Sequence, residues 1–134
     1  MSPGLSAIEA IREKLRRYPH VRAEDTGSSI TVPPQSPDGF PVRLDQHSHG
    51  FTVSFLGWHE EFDSQDEALA CFAFGLSEAC RLRVFSRGSF DYRWIVQYWK
   101  DGSWHDDWET GLLVFPFWLR RHERYLHNHV TPVI

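Results

Sequence analysis

Three histidines lie close together in the stretch HSHGFTVSFLGWHEEF, at His47, His49 and His59. Catalytic zinc commonly takes three protein ligands and a water, and side chains two apart on a strand point to one side, so His47 and His49 could share an ion that His59 completes. That site would make the protein a small metal-dependent hydrolase. Asp45 and Gly50 flank the first pair, however, and turns of this composition carry polar side chains into water without any metal. His59 would also need the chain to fold back. Exposed turn residues therefore rank above a metal site.

The remaining reactive side chains form weaker patterns. The letters HNHV at 127–130 suggest a nuclease motif, but such sites need a ββα unit and further ligands that three adjacent letters do not supply. His105 precedes Asp106 and His122 precedes Glu123, yet neighbouring strand residues face opposite ways, which disfavours an acid–base pair. Glu60 and Glu61 diverge for the same reason. Ser86, Ser89 and Ser103 sit in turn-like contexts without a strand-turn-helix elbow, and no glycine-rich phosphate loop precedes a helix. Cys71 and Cys80 are both expected in one helix, about 13 Å apart along its axis at 1.5 Å per residue, too far to bond. They read as small buried hydrophobes, and no cofactor is implied.

Aromatic residues carry the stronger signal. Ten Phe, six Trp and four Tyr in 134 residues bring much area per residue, so the core can be dense, but each Trp needs a partner for its indole N–H. The Asp101–Gly102 pair predicts a two-residue type I′ turn, which would set Lys100 opposite Ser103, Trp99 opposite Trp104, Gln97 opposite Asp106 and Ile95 opposite Trp108. If Trp94, Val96 and Tyr98 enter the core with Leu82 and Val84, then Arg81, Arg83 and Arg93 line the outside beside Trp99, Trp104 and Trp108. Arginine interleaved with tryptophan is the composition of protein interface hot spots and of single-strand nucleic-acid platforms. Burial ranks ahead of that surface reading: the C-terminal segment FPFWLRRHERYLHNHV is expected to fold over these tryptophans and make them core, because an aromatic surplus in a small domain most often serves packing.

Positioning these residues requires a scaffold, and the chain predicts one. SAIEAIREKLRRYP reads as an amphipathic helix with a Ser6/Glu9 capping box, an apolar stripe of Ile8, Ile11, Leu15 and Tyr18, and a charged face tied by spacings such as Glu13 to Arg17. Prolines 33, 34 and 41 confine the next stretch to loops or an edge hairpin around SITV. VRLD and FTVSFLGW read as strands, and HEEFDS as an acidic lead-in to the positive start of a second helix. That helix, DSQDEALACFAFGLSEACRL, begins at a Ser64/Glu67 box, is apolar nearly all round, and has Gly75 for close packing. RLRVF and the two arms of the Asp101 hairpin complete the strands.

The expected fold class is therefore α+β: a single two-layer domain over 1–134, with an antiparallel sheet of about five to six strands and helices at about 6–17 and 64–80 packed on one face. The net charge of −4 gives no global attraction to nucleic acid or anionic membranes. No apolar run reaches the length of a membrane span, and the charged N-terminal stretch does not read as a signal peptide, so a cytoplasmic location is expected. The leading functional expectation is a non-enzymatic interaction domain that binds a protein partner or forms a homodimer through the tryptophan hairpin. The histidine hydrolase and a single-stranded nucleic-acid binder rank below it, because Asp106, Asp107 and Glu109 would repel phosphate.

Overall fold

The computed structural model describes residues 6–112 and 114–130, with the side chain of Trp108 also outside the description. The architecture is α+β and mainly β. Helix α1 (Ala7–Leu15) is followed by strands β1 (Glu24–Asp25), β2 (Ser29–Val32), β3 (Val42–His47), β4 (Gly50–Phe55) and β5 (Trp58–Phe62), then helix α2 (Gln65–Leu76). Strands β6 (Cys80–Arg87), β7 (Phe90–Lys100), β8 (Ser103–Gly111) and β9 (Arg121–Leu126) complete the chain.

Among the described residues the strands divide into two antiparallel sheets, one of five in the order β1-β2-β3-β4-β5 and one of four in the order β8-β7-β6-β9. The expectation of one sheet of five to six strands is thus corrected. In the first sheet, and among β6, β7 and β8, neighbours in sequence pair as a meander, whereas β9 returns past β8 to pair with β6; between β5 and β6 the chain passes through α2 and begins a new ladder. One apolar core joins both sheets to both helices. Val42, Leu44, Val53, Phe55 and Trp58 come from the first sheet, Leu82, Val84, Trp94 and Val96 from the second, and Ala68, Phe72 and Leu76 from α2.

The local causes are readable. Ser6 Oγ accepts from the Glu9 N–H while Glu9 returns a bond to the Ser6 N–H, closing the anticipated box. Ser64 Oγ accepts from the Glu67 N–H in the same way. Helix α2 is shorter than its periodicity predicts, because the Phe74 carbonyl accepts from both the N–H and the hydroxyl of Ser77. This cap releases the chain into an extended conformation, so Cys80 begins β6 and does not share a helix with Cys71. HEEF, expected as a lead-in, is instead most of β5, with Glu61 opposite Thr52 and His59 opposite Ser54. Leu56 at φ 60° and Gly57 turn the chain from β4 into it. Gly57 lies directly on the indole of Trp94, and Gly75 on the ring of Phe55.

The C-terminal segment neither wraps the molecule nor hangs free. Its strand β9 pairs antiparallel with β6, from Leu82 opposite Leu126 to Arg87 opposite Arg121. Beyond it, Asn128 is buried. Its Oδ1 accepts from the Phe40 N–H at 3.0 Å, and its Nδ2 donates to the Phe40 and Gly75 carbonyls at 3.0 and 3.1 Å. Asn128, the second letter of HNHV, is therefore a structural clamp between the β2–β3 loop, α2 and the C-terminal segment.

Candidate functional site: an arginine and aromatic sheet face

The Asp101–Gly102 turn forms as expected, with φ of 53° and 79° at its two residues, the left-handed pair that a type I′ turn requires. Lys100 pairs with Ser103, Trp99 with Trp104 and Gln97 with Asp106. The register then shifts between Ile95 and Gln97, so Ile95 faces Glu109 where simple alternation predicts Trp108. The extra residue of a bulge accounts for the slip and puts both Asp106 and Glu109 on one face. The Trp108 side chain lies outside the described residues.

Because one face of this sheet enters the core through Leu82, Val84, Trp94 and Val96, alternation sends Arg81, Arg83, Phe85, Arg93, Ile95, Gln97 and Trp99 to the other. Strand β9 adds Glu123 and Tyr125 to that outer face, opposite Phe85 and Arg83. The three arginines singled out in the sequence stand together there with Trp99 and Trp104. Trp99 is 43% exposed and Tyr125 44%, while Trp104 is half-buried.

At one end of the face the Arg81 guanidinium lies between two rings, 4.5 Å from the centroid of Trp104 and 4.1 Å from that of Tyr125. Its Nε donates to Gln97 Oε1 at 2.7 Å, and Gln97 Nε2 donates to Asp106 Oδ1 at 2.7 Å. Burial between the rings pulls the Arg81 pKa down. The Trp99 and Trp104 rings meet edge to face at 5.4 Å, and Trp104 makes a second edge contact with His127 at 5.3 Å. His127 Nε2 donates to the Glu78 carbonyl at 2.8 Å, since the carbonyl can only accept; burial lowers this imidazole's pKa.

At the middle, Arg83 Nε donates to Glu123 Oε1 at 2.5 Å and the Tyr125 hydroxyl donates to the same oxygen at 2.7 Å. These two bonds hold the Glu123 carboxyl below the usual range, Arg83 first and Tyr125 second. Three guanidiniums, of Arg83, Arg93 and Arg121, lie 4.7 to 5.1 Å from the centroid of Phe85. Arg93 is neutralised by Glu109 at 2.6 Å, and the charge of Arg121 helps hold Glu123 ionised. The far end is closed by Phe115, stacked on Tyr92 at 4.2 Å and packed with Phe85 and Ile95. Phe115, on the connection between β8 and β9, thus covers the Phe85 end, while at the tryptophan end Tyr125 and His127 lie against Arg81 and Trp104 and leave Trp99 43% exposed. The same connection exposes Val114 (86%), Phe117 (71%) and Trp118 (73%), apolar side chains that sequence reasoning did not single out.

The histidine candidates are placed differently. His49 is in the two-residue turn between β3 and β4, exposed, as its Asp and Gly neighbours imply. His47 Nε2 lies 3.2 Å from Thr52 Oγ1 and 3.3 Å from Glu61 Oε2, and Thr52 donates to that same carboxylate at 2.7 Å. His59 sits on β5, two strands from His47, opposite Ser54. Among the described residues, no group of three or more His, Cys, Asp or Glu side chains is arranged to hold a metal ion. No family model, curated protein or solved structure matches the chain.

Proposed function

We propose that the protein is a non-enzymatic interaction domain whose contact surface is the outer face of the β8-β7-β6-β9 sheet, and that its partner is a protein with an acidic, aromatic-bearing surface. The observation that carries this reading is the Arg81 guanidinium held between Trp104 and Tyr125 on the outer sheet face, with Trp99 exposed beside it. Fixed stacking and the Gln97 bond hold these side chains in one arrangement before any partner arrives, which lowers the ordering cost of binding. Arginine and tryptophan so placed are the residue types that dominate interface energetics. The face carries Arg81, Arg83, Arg87, Arg93 and Arg121 against Asp106, Glu109 and Glu123, a local positive excess on a chain of net charge −4. That excess favours an acidic partner, while the interspersed carboxylates disfavour a continuous phosphate backbone.

The test is a Trp104→Ala variant read by melting, by sedimentation and by capture of cross-linked partners from the native cell. The expected result is a folded variant that loses a stoichiometric complex formed by the wild type. A variant that retains the complex, a variant that unfolds while the wild type sediments as a monomer, or tight binding of a mixed single-stranded oligonucleotide that falls steeply with salt would each overturn the reading.

A further inference from the structure

Helix α2 is apolar on nearly every side, and the nine-residue α1 is too short to cover all of it. Between them runs a groove of about 550 Å³, well within the size of small-ligand sites. Its floor is Ile11 and Phe72, both buried, and its walls are Leu15, Leu69 and Phe74, each half-buried. Ala70 and Ala73 on α2 border it with side chains too small to fill it, and both are exposed.

The charges of α1 are distributed unevenly around this groove. Arg12 is paired with Asp25, on the side facing β1, and Arg16 with Glu13 at 3.2 Å. The spacing-based expectation that Glu13 would neutralise Arg17 is therefore not met. Lys14 and Arg17 both line the groove mouth, and neither has an ion-pair partner among the described residues. Glu13 lines the groove as well, its carboxylate held by Arg16, so the rim carries one paired acid and two unpaired cations, and this matches a ligand with one long apolar chain and one anionic end. The alkyl stems of Lys14 and Arg17 can lie along the chain while their charged ends reach the anion.

We infer that the α1–α2 groove binds a single-chain anionic amphiphile of the fatty-acid class, with the chain between Leu15, Leu69 and Phe74 and the carboxylate at Lys14 and Arg17. The site lies on the helices, apart from the sheet face proposed above, so either reading can fail without the other.

The experiment is calorimetric titration of the whole protein with palmitate below its self-association concentration, alongside hexadecanol and hexadecyltrimethylammonium. Palmitate should bind saturably at one per chain and more tightly than either control. Ala73→Trp, at an exposed position, should abolish binding with unchanged melting. Lys14→Glu with Arg17→Glu should weaken palmitate roughly tenfold, as two exposed charge contacts imply, and leave hexadecanol unaffected. Absence of saturable binding, indifference to Ala73→Trp, equal affinity for the three chains, or binding only to phosphatidylglycerol vesicles and not to monomeric palmitate would each overturn the inference.

Discussion

The Asn128 side chain meets the backbone of Phe40 as a neighbouring strand would, accepting from its N–H and donating to its carbonyl, both at 3.0 Å across 88 positions of sequence. A third bond to the Gly75 carbonyl ties α2 into the same junction. Asn128→Ala leaves three buried backbone groups without that partner and is expected to cost about 2–4 kcal/mol in urea unfolding. Asn128→Asp, which turns the donor toward two carbonyls into an acceptor, should cost at least as much; an unchanged urea midpoint for either variant would refute the clamp.

Gly57→Ala should destabilise the protein by about 1–3 kcal/mol, because a methyl there overlaps the Trp94 indole, itself buried between the sheets. The φ of this residue is not the issue. A Gly57→Ala, Trp94→Phe double variant should recover part of the loss, and a thermal melt of the four proteins measures the coupling.

Glu60 points toward α2 and β8, where burial first, and then the charges of Asp107 and Glu67, raise its pKa. A carboxyl raised on folding lends stability below its unfolded pKa that is lost as pH rises through its folded value. Glu60→Gln is therefore expected to raise the melting temperature at pH 7 by more than at pH 3.5. The His127 imidazole has the opposite sign: its folded pKa is depressed by burial, so its contribution is intact above about 6.5 and is lost as pH falls through the lower folded value. His127→Gln should flatten the acid limb of the stability profile as pH falls below about 6.5.

Burial pushes the Cys71 thiol up to about 12 and the Cys80 thiol well above its ordinary value. Neither supplies appreciable thiolate at pH 8, so iodoacetamide should label neither in the native protein and both in guanidinium, as mass spectrometry would read.

The legible parts of the fold were those written in neighbouring residues. Ser6 with Glu9 and Asp101 with Gly102 specify local geometry within four positions, and both form as their chemistry dictates. The outer placement of Arg81, Arg83 and Arg93 followed from alternation once that turn was placed. What escaped the sequence was set by distant partners. RHERYL shows no apolar alternation because only Leu126 reaches the core, and its strand exists by pairing with β6. The end of α2 depended on a hydroxyl of Ser77 capping a carbonyl, which periodicity does not register. The division into two sheets likewise depended on which strands pair across α2, a choice that hydrophobic pattern leaves open.

The order β8-β7-β6-β9 also has a kinetic side. Strand β6 becomes an interior strand only when β9 arrives, after both arms of the Asp101 hairpin have been made. Until then a growing chain offers the bare edge of Cys80–Arg87 to any strand nearby, including another nascent copy. Slow ribosomal passage through residues 112–120 would prolong that exposure, and shortening the span should speed refolding and reduce inclusion-body formation at equal final stability.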